Sequence, residues 1–469
     1  MKQEDRKKLI SSLGGIVSVV AGFIGAIKDV GVSPWIWGSA LVVGALMAMA
    51  PYVRDIYNVI AKCITPFFTP DISWHNDGFA YMTIDARFKD NFSKATGVVL
   101  LGNGNQYNRF LKESVMNADA IVALFPDGKD VLDSCKALPY GEKLAQLMTE
   151  YNLVGGNRNI QYLFEHTPFI FAEHYYFYHI LKLSGDADPW ANEKRESLKR
   201  IVDAPEEENR ITKLVSAYNN NQLDRILNQS VFANSTDLSQ QRAVVSNAES
   251  CGDNDVSDYI ISDKKAAQDY INKSLGSDAV IHIVVDNSGI ELISDLVLGK
   301  YLLKMKPTAN IKIVYHHNVL PIFVSDAVSA DFHAAIEAIG AKNKELGDAL
   351  KQDVESGKMV FAPNAFWNMP FPFKEMPKSL LDEFNNENVG MIIIKGDLNY
   401  RRLVEDKQWR ITERIEPHVE YFQRPILILR SLKSNTLLGV NKMKLNSLKD
   451  LPATWKTTGD YGMIQFIEK

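Results

Sequence analysis

The sequence predicts an α/β protein: a three-layer α/β/α sandwich around a mainly parallel sheet, preceded by a helical subdomain and by an N-terminal transmembrane helical hairpin. Three observations predict it. Two long apolar runs without a charge, residues 9–27 and 30–53, open the chain. Helical spacing of apolar residues then dominates as far as residue 274. Beyond that point short β-branched runs alternate with amphipathic stretches. The expected division is a hairpin over 1–60, a mainly helical part over 61–274 and an α/β part over 275–469.

Each N-terminal run is close to the ~20 residues a helix needs to cross a bilayer. Only Lys28 and Asp29 separate them, and Gly31 and Pro34 suit a tight turn, so the two helices would be antiparallel. Lys2, Arg6, Lys7 and Lys8 precede the first run, while Arg54 and Lys62 follow the second. The positive-inside rule then puts both ends, and everything after them, on the cytoplasmic side. Small residues recur every fourth position as Gly14, Ser18, Gly22 and Ala26, and again as Ala40, Gly44 and Ala48. Such stripes let helices approach closely in lipid and suit a homo-oligomer. A signal peptide would have one apolar core rather than two, and a soluble helix pair would carry the helix cost of these glycines.

In the helical part, apolar residues at helical spacing mark 107–115, 144–153 and 168–183, whereas 219–258 is rich in Asn, Gln and Ser and is expected to hold loops. The α/β part has β-branched runs at 279–285, 311–316, 359–362, 391–395, 426–429 and 463–467, with amphipathic stretches at 289–304 and 330–345.

In open sheets of this kind ligands bind beyond the carboxyl ends of the strands. The first run ends in Asp286-Asn287, the second is followed by Val324-Ser325-Asp326, and the fourth ends in Lys395-Gly396-Asp397-Leu398-Asn399. Oxygen donors of this type select hard cations such as Mg²⁺ or Mn²⁺. Asp and Asn after a strand are also common helix caps, so the pattern alone leaves both readings open. His316 and His317 have no His-Glu-x-x-His spacing and are expected to be structural. An aspartyl-phosphate route through Asp286 lacks its second acid two residues on, where Ser288 stands.

A net charge of -5 and a pI near 6.0 give no basic footprint, which argues against a nucleic-acid partner. Cys63, Cys135 and Cys251 form no Cys-x-x-Cys pair, so neither a disulfide framework nor a thiolate zinc site is expected.

Several segments together resemble one family, the damage-control phosphatases, in the subgroup also named acidic-residue methyltransferases. Val285-Asp286-Asn287-Ser288-Gly289-Ile290-Glu291-Leu292 is similar to that family's Asp-Asn-Ala-Gly-Phe-Glu segment. Phe366-Trp367-Asn368-Met369-Pro370 resembles its Trp-Asn-Leu-Pro segment, and Lys395-Gly396-Asp397-Leu398-Asn399-Tyr400-Arg401 matches its Lys-Gly-Asp-Leu-Asn-Tyr-Arg block without a change. Ala172-Glu173, Asp188-Pro189 and Asn192-Glu193-Lys194 add weaker support. Two positions depart: Arg430-Ser431-Leu432-Lys433 stands for Arg-Thr-x-Lys, and Phe232-Ala233-Asn234 for Trp-Gly-Asn. The hydrophobic hairpin is outside the family's pattern.

The resemblance implies a divalent metal (manganese, cobalt, nickel or magnesium) held by Asp286, Asn287 and Asp326. It implies a substrate site lined by Glu291, by Gly396, Asp397, Leu398, Asn399 and Tyr400, and by Arg430 and Lys433. Asp286, Asn287, Asp397 and Lys433 would carry the chemistry, with Lys433 offering a point charge to phosphate and Asp397 orienting a water or binding sugar hydroxyls. The expected activity is hydrolysis of a small phosphorylated metabolite, a sugar phosphate foremost, at the cytoplasmic membrane face. Carboxyl methyl transfer to proteins and phosphometabolite sensing through the membrane hairpin are the alternatives.

Overall fold

A computed structural model describes residues 143, 145–147, 167–185, 188–233, 259–305, 309–407, 409–452 and 454–469. All of them belong to the larger of the chain's two units, Phe68–Lys469. The expected hairpin, the helical stretch at 107–115 and most of 144–153 lie outside the described residues. Among the described residues no helix is long and apolar enough to cross a membrane.

Four helices come first: α1 (Phe169–Ser184), α2 (Ala191–Asp203), α3 (Arg210–Asn219) and α4 (Leu223–Phe232). The third of these is started by Asn209, whose side-chain oxygen accepts from the backbone of Ile211 and Thr212. The fourth corrects the expectation of loops over 219–258. Its Asn and Gln residues mask an amphipathic repeat in which Leu223, Ile226, Leu227 and Val231 are buried.

The remainder alternates: β1 (Tyr259–Ser262), α5 (Lys264–Lys273), β2 (Val280–Val284), α6 (Ile290–Met305), β3 (Lys312–His317), α7 (Ser329–Lys342), α8 (Lys344–Glu355), β4 (Met359–Pro363), α9 (Lys378–Phe384), β5 (Val389–Lys395), α10 (Asp397–Leu403), β6 (Ile426–Ser431) and β7 (Gly462–Ile467). Every expected strand forms. The first strand was missed, because four residues in a polar stretch show too little alternation to read. The amphipathic stretch at 330–345 is really two helices, since Asn343 takes an extended conformation between them and caps the second.

The sheet runs β1-β7-β6-β5-β2-β3-β4. Neighbours from β6 to β4 are parallel, β7 is antiparallel to β6, and β1 is parallel to β7. Strand alternation divides the core in two. Ile281, Ile283, Ile393 and Leu427 pack with apolar residues of α3 to α8. Val284, Ile392, Ile394 and Ile428 pack with α1, α9 and α10. Helices thus cover both faces, which is why the central strands read as continuous apolar runs.

The order of the strands also locates a site. From β2 the chain moves outward through β3 to β4, then returns to the other side of β2 as β5. The carboxyl ends of β2 and β5 therefore flank a topological switch point, where connecting loops diverge and leave a crevice.

Candidate active site

At the switch point the ends of β2 and β5 touch. Gly396 follows β5 with φ 80° and ψ 173°, a region open only to glycine. A Cβ there would overlap the carboxylate of Asp286. Glycine is thus needed twice, for the backbone turn and for the approach of Asp286.

Asn287 is fixed from several directions. Its Nδ2 donates to Asp286 Oδ2 at 3.1 Å and to Glu291 Oε2 at 3.0 Å, while its Oδ1 accepts from Ser325 Oγ at 2.6 Å. An isolated antiparallel bridge pairs Asn287 with Asp326, and Ser288 donates its backbone N–H to Ser325. Asp286, Asn287 and Asp326 are therefore brought together by two segments far apart in sequence.

Asp326 is 2% exposed. Its Oδ2 accepts from Asn318 Nδ2 at 2.7 Å and from the backbone of Ile322 and Phe323 at 2.9 and 3.0 Å. The carboxylate thus shapes its own loop through Oδ2, which leaves Oδ1 as the oxygen for a cation. Burial pushes this carboxyl up to about 7, against the pull of the Phe323 N–H and of Lys194. An acid this dry, beside Asp286 and an amide oxygen, is under-compensated by protein groups. The donors are all oxygen, the set that suits a hard divalent cation, so these residues fit the metal expected of them.

Behind this group lies a buried charge cluster. Lys395, at 0% exposure, donates to Ser230 O at 2.8 Å and pairs with Asp295 Oδ1 at 3.1 Å and Glu291 Oε1 at 3.3 Å. Burial works against its charge, but the two carboxylates outweigh burial and hold the ammonium above its ordinary value. Glu291 in turn holds Asn287, so Lys395 orients the amide through one intermediary. The sequence reading missed Lys395 and Asp295. Their signal was present: a lysine closing an apolar strand, and acids four apart in the mostly apolar first half of α6.

On the other side, Asp397 Oδ1 accepts from Arg430 Nε at 2.8 Å and from the Lys433 backbone at 2.9 Å, and forms an ion pair with Arg430 Nη2 at 2.6 Å. Burial raises its carboxyl, yet Arg430 and Arg401 more than offset that and hold it below the usual range. The remaining guanidinium bonds of Arg430 go to Thr436 O and Ser434 Oγ, and it stacks 4.1 Å above the Tyr400 ring. Arg430 is 0% exposed, so it holds Asp397 instead of presenting itself to a ligand as expected. Tyr400 and Asn399 are scaffold as well. The hydroxyl of Tyr400 accepts from Leu438, and Asn399 Nδ2 ties Val285 to Lys395. Leu398 is only half-buried. Lys433 is buried, with Gly459 against its stem. Ser431, at the threonine position, has a buried hydroxyl without a hydrogen bond among the described residues.

The Trp-Asn segment pins these pieces. Asn368 accepts from Val319 at 2.9 Å and donates to Leu320 O at 2.6 Å, which shapes the loop leading to Asp326. Arg402 of α10 donates to the carbonyls of Phe366, Trp367 and Phe371 at 2.8 to 2.9 Å. Arg401 pairs with Asp406 and with Glu173, joining α1 to the same helix.

The model of the family described as damage-control phosphatase ARMT1-like domain matches residues 78–447. Curated relatives named damage-control phosphatase ARMT1 are similar to a shorter stretch. That of Rattus norvegicus is 34% identical over 192 residues, 40% of this chain and 43% of the relative. That of Mus musculus is 33% identical over 192 residues with the same coverage, and that of Danio rerio 31% over 194 residues. The aligned region thus spans under half the length of these relatives. The domain match itself covers most of the chain and takes in both strand ends of the switch point, and on it this protein belongs to the ARMT1-like damage-control phosphatase family.

Proposed function

We propose that the protein is a metal-dependent phosphatase that hydrolyses phosphomonoesters of small metabolites, sugar phosphates foremost. One observation carries the reading: Asp286, Asn287 and Asp326 gather at the switch point, with Asp397 and the start of the Lys433 segment joined beside them. The family suggests a metabolite phosphatase, and the oxygen-only donor set supports metal dependence.

In this reading Asp286, Asn287 and Asp326 would hold the cation, which when bound would polarise a phosphoryl oxygen and acidify a water. The chain's own residues do the remainder. Lys395 and Glu291 fix the Asn287 amide so that no reorganisation is needed during reaction. Asp397 stays ionised beside Arg430, which makes it a poor proton acceptor and a good hydrogen-bond acceptor for a substrate hydroxyl or a water. Lys433 supplies positive charge to the phosphate. Residues 1–60 would anchor this machinery at the cytoplasmic membrane face.

The test is phosphate release from sugar phosphates by the full-length protein, with manganese, cobalt, nickel or magnesium added after chelation. Activity restored by metal and lost in Asp286→Ala, at a cost of about 3 kcal/mol or more in transition-state stabilisation, supports the reading. No release with any metal, but tight binding of the same sugar phosphates, would favour sensing instead. Anchoring is tested separately by carbonate extraction of membranes containing the protein, and full release into the supernatant would overturn it.

A further inference from the structure

Lower in the same sheet two imidazoles face each other inside an aromatic core. Side chains alternate along β2 and β3, and His282 and His316 fall on the face that carries Val284. His282 Nδ1 and His316 Nε2 are 2.7 Å apart. Phe384 of α9 lies against both rings, with centroids 4.8 and 4.5 Å away, and Trp367 lies 5.6 Å from His316. Glu383, the residue before Phe384, brings a carboxylate to the pair, and one ligand atom from each of the three lies within 4.8 Å of the others. His282 stands four residues before Asp286, about 13 Å along the strand. His316 is in register with Val284, so the pair lies on the face of Asp286 but deeper in the sheet than the switch-point carboxylates.

Such a pair is costly to bury. His316 Nδ1 has no hydrogen-bond partner among the described residues. Burial pushes His282 down to about 4 and His316 well below its ordinary value, so both rings are neutral. Apolar residues of similar volume would fill this core at lower cost. Neutral imidazole is the form that ligates metals. Besides Glu383, the charge of Lys312 acts on the group: it lowers His282 further and pulls against the burial that raises Glu383. Glu383 itself is exposed at its outer edge, which gives a route from solvent.

We propose that His282, His316 and Glu383 form a second metal site, which takes zinc or a similar borderline-soft divalent cation, with water as fourth ligand. Two imidazoles and one carboxylate are a zinc donor set, unlike the oxygen donors at the switch point. To share one zinc at bonds of about 2.0–2.1 Å, the two nitrogens must part to about 3.3 Å, a small opening of their present contact. The bound ion would clip α9 to β2 and β3.

The experiment uses the full-length protein with its hard-cation site saturated by manganese. Zinc affinity is measured by competition with a chromophoric chelator, and cobalt is followed by its visible absorption. The wild type is expected to take up one zinc and to give the absorption of tetrahedral cobalt. Glu383→Gln should weaken zinc binding at least about tenfold, since even an outer-shell partner is worth that much, and His282→Gln should abolish it. Asp286→Ala should leave it unchanged. His282 is buried and its replacement can unfold the core, so the partly exposed Glu383 decides, with circular dichroism confirming the fold. Wild type without zinc binding, or folded Glu383→Gln with unaltered affinity, overturns the proposal. Neither result depends on phosphatase activity.

Discussion

Arg430 donates through Nε to one oxygen of Asp397 at 2.8 Å and brings Nη2 within 2.6 Å of it as an ion pair, and the Lys433 backbone donates to that same oxygen. A single carboxylate thus joins the ends of β5 and β6. Asp397→Asn keeps the shape but leaves the guanidinium buried without its counter-charge. A loss of about 3–5 kcal/mol in stability is expected from chemical denaturation. A change under about 1 kcal/mol would show that the pair is compensated elsewhere.

Gly396→Ala tests the contact between β2 and β5. The substitution meets both a glycine-only backbone region and the Asp286 carboxylate. Backbone strain of ~1–3 kcal/mol is expected, together with a fall in kcat larger than the change in KM, because Asp286 must move. Equal activity and equal stability would mean that the loop relaxes freely.

Lys433→Met keeps most of the buried stem and removes its charge. A decrease of roughly 10²-fold in kcat/KM on a phosphorylated substrate is expected, with the circular dichroism spectrum unchanged. An unaltered rate would assign Lys433 to packing alone.

The acid stability of the folded part depends on several buried histidines, two of them in α1. Its His174 is buried and pushed down to about 3 by burial first and then by Arg402, and His179 is pushed down to about 4 by burial and Lys182. These groups take up protons in the unfolded chain near pH 6.5 but not in the native protein until far lower pH. Their contribution is fully present above about 6.5 and is lost as pH falls toward 3–4, at up to about 1.4 kcal/mol per unit for each group. His174→Leu should therefore flatten the decline of stability between pH 6 and 4. An identical slope in that variant would place the acid response elsewhere.

Much of this architecture was readable from residue patterns, and the exceptions have physical causes. β2 and β5 announced themselves because burial on both faces demands unbroken apolar runs. β1 did not, since Tyr259–Ser262 is too short. Asp286 and Asn287 were legible as polar residues just past the end of β2, a local signal, whereas Asp326 lies well down the loop after β3. The hold of Arg430 on Asp397 was not legible, because its partners Asp397, Ser434 and Thr436 meet it only after β5 and β6 pair. The tie from Lys395 through Glu291 to Asn287 is likewise tertiary. His316 and His317 were read as structural for want of a His-Glu-x-x-His spacing, and such spacing says nothing about the diagonal contact of His316 with His282 across a parallel pair.

The position of β5 beside β2 also bears on how the chain acquires its activity. β3, β4 and the helices between them are synthesised before β5 exists to complete the crevice, so the proposed cation pocket is built on one of the most non-local contacts in the sheet. Contacts of this kind carry a large loop-closure cost and form late. A ligand that recognises only the finished pocket adds its binding free energy to the folded state alone. Cellular metal supply would then act as a maturation signal, setting the fraction of new chains that remain folded as well as the fraction that turn over substrate.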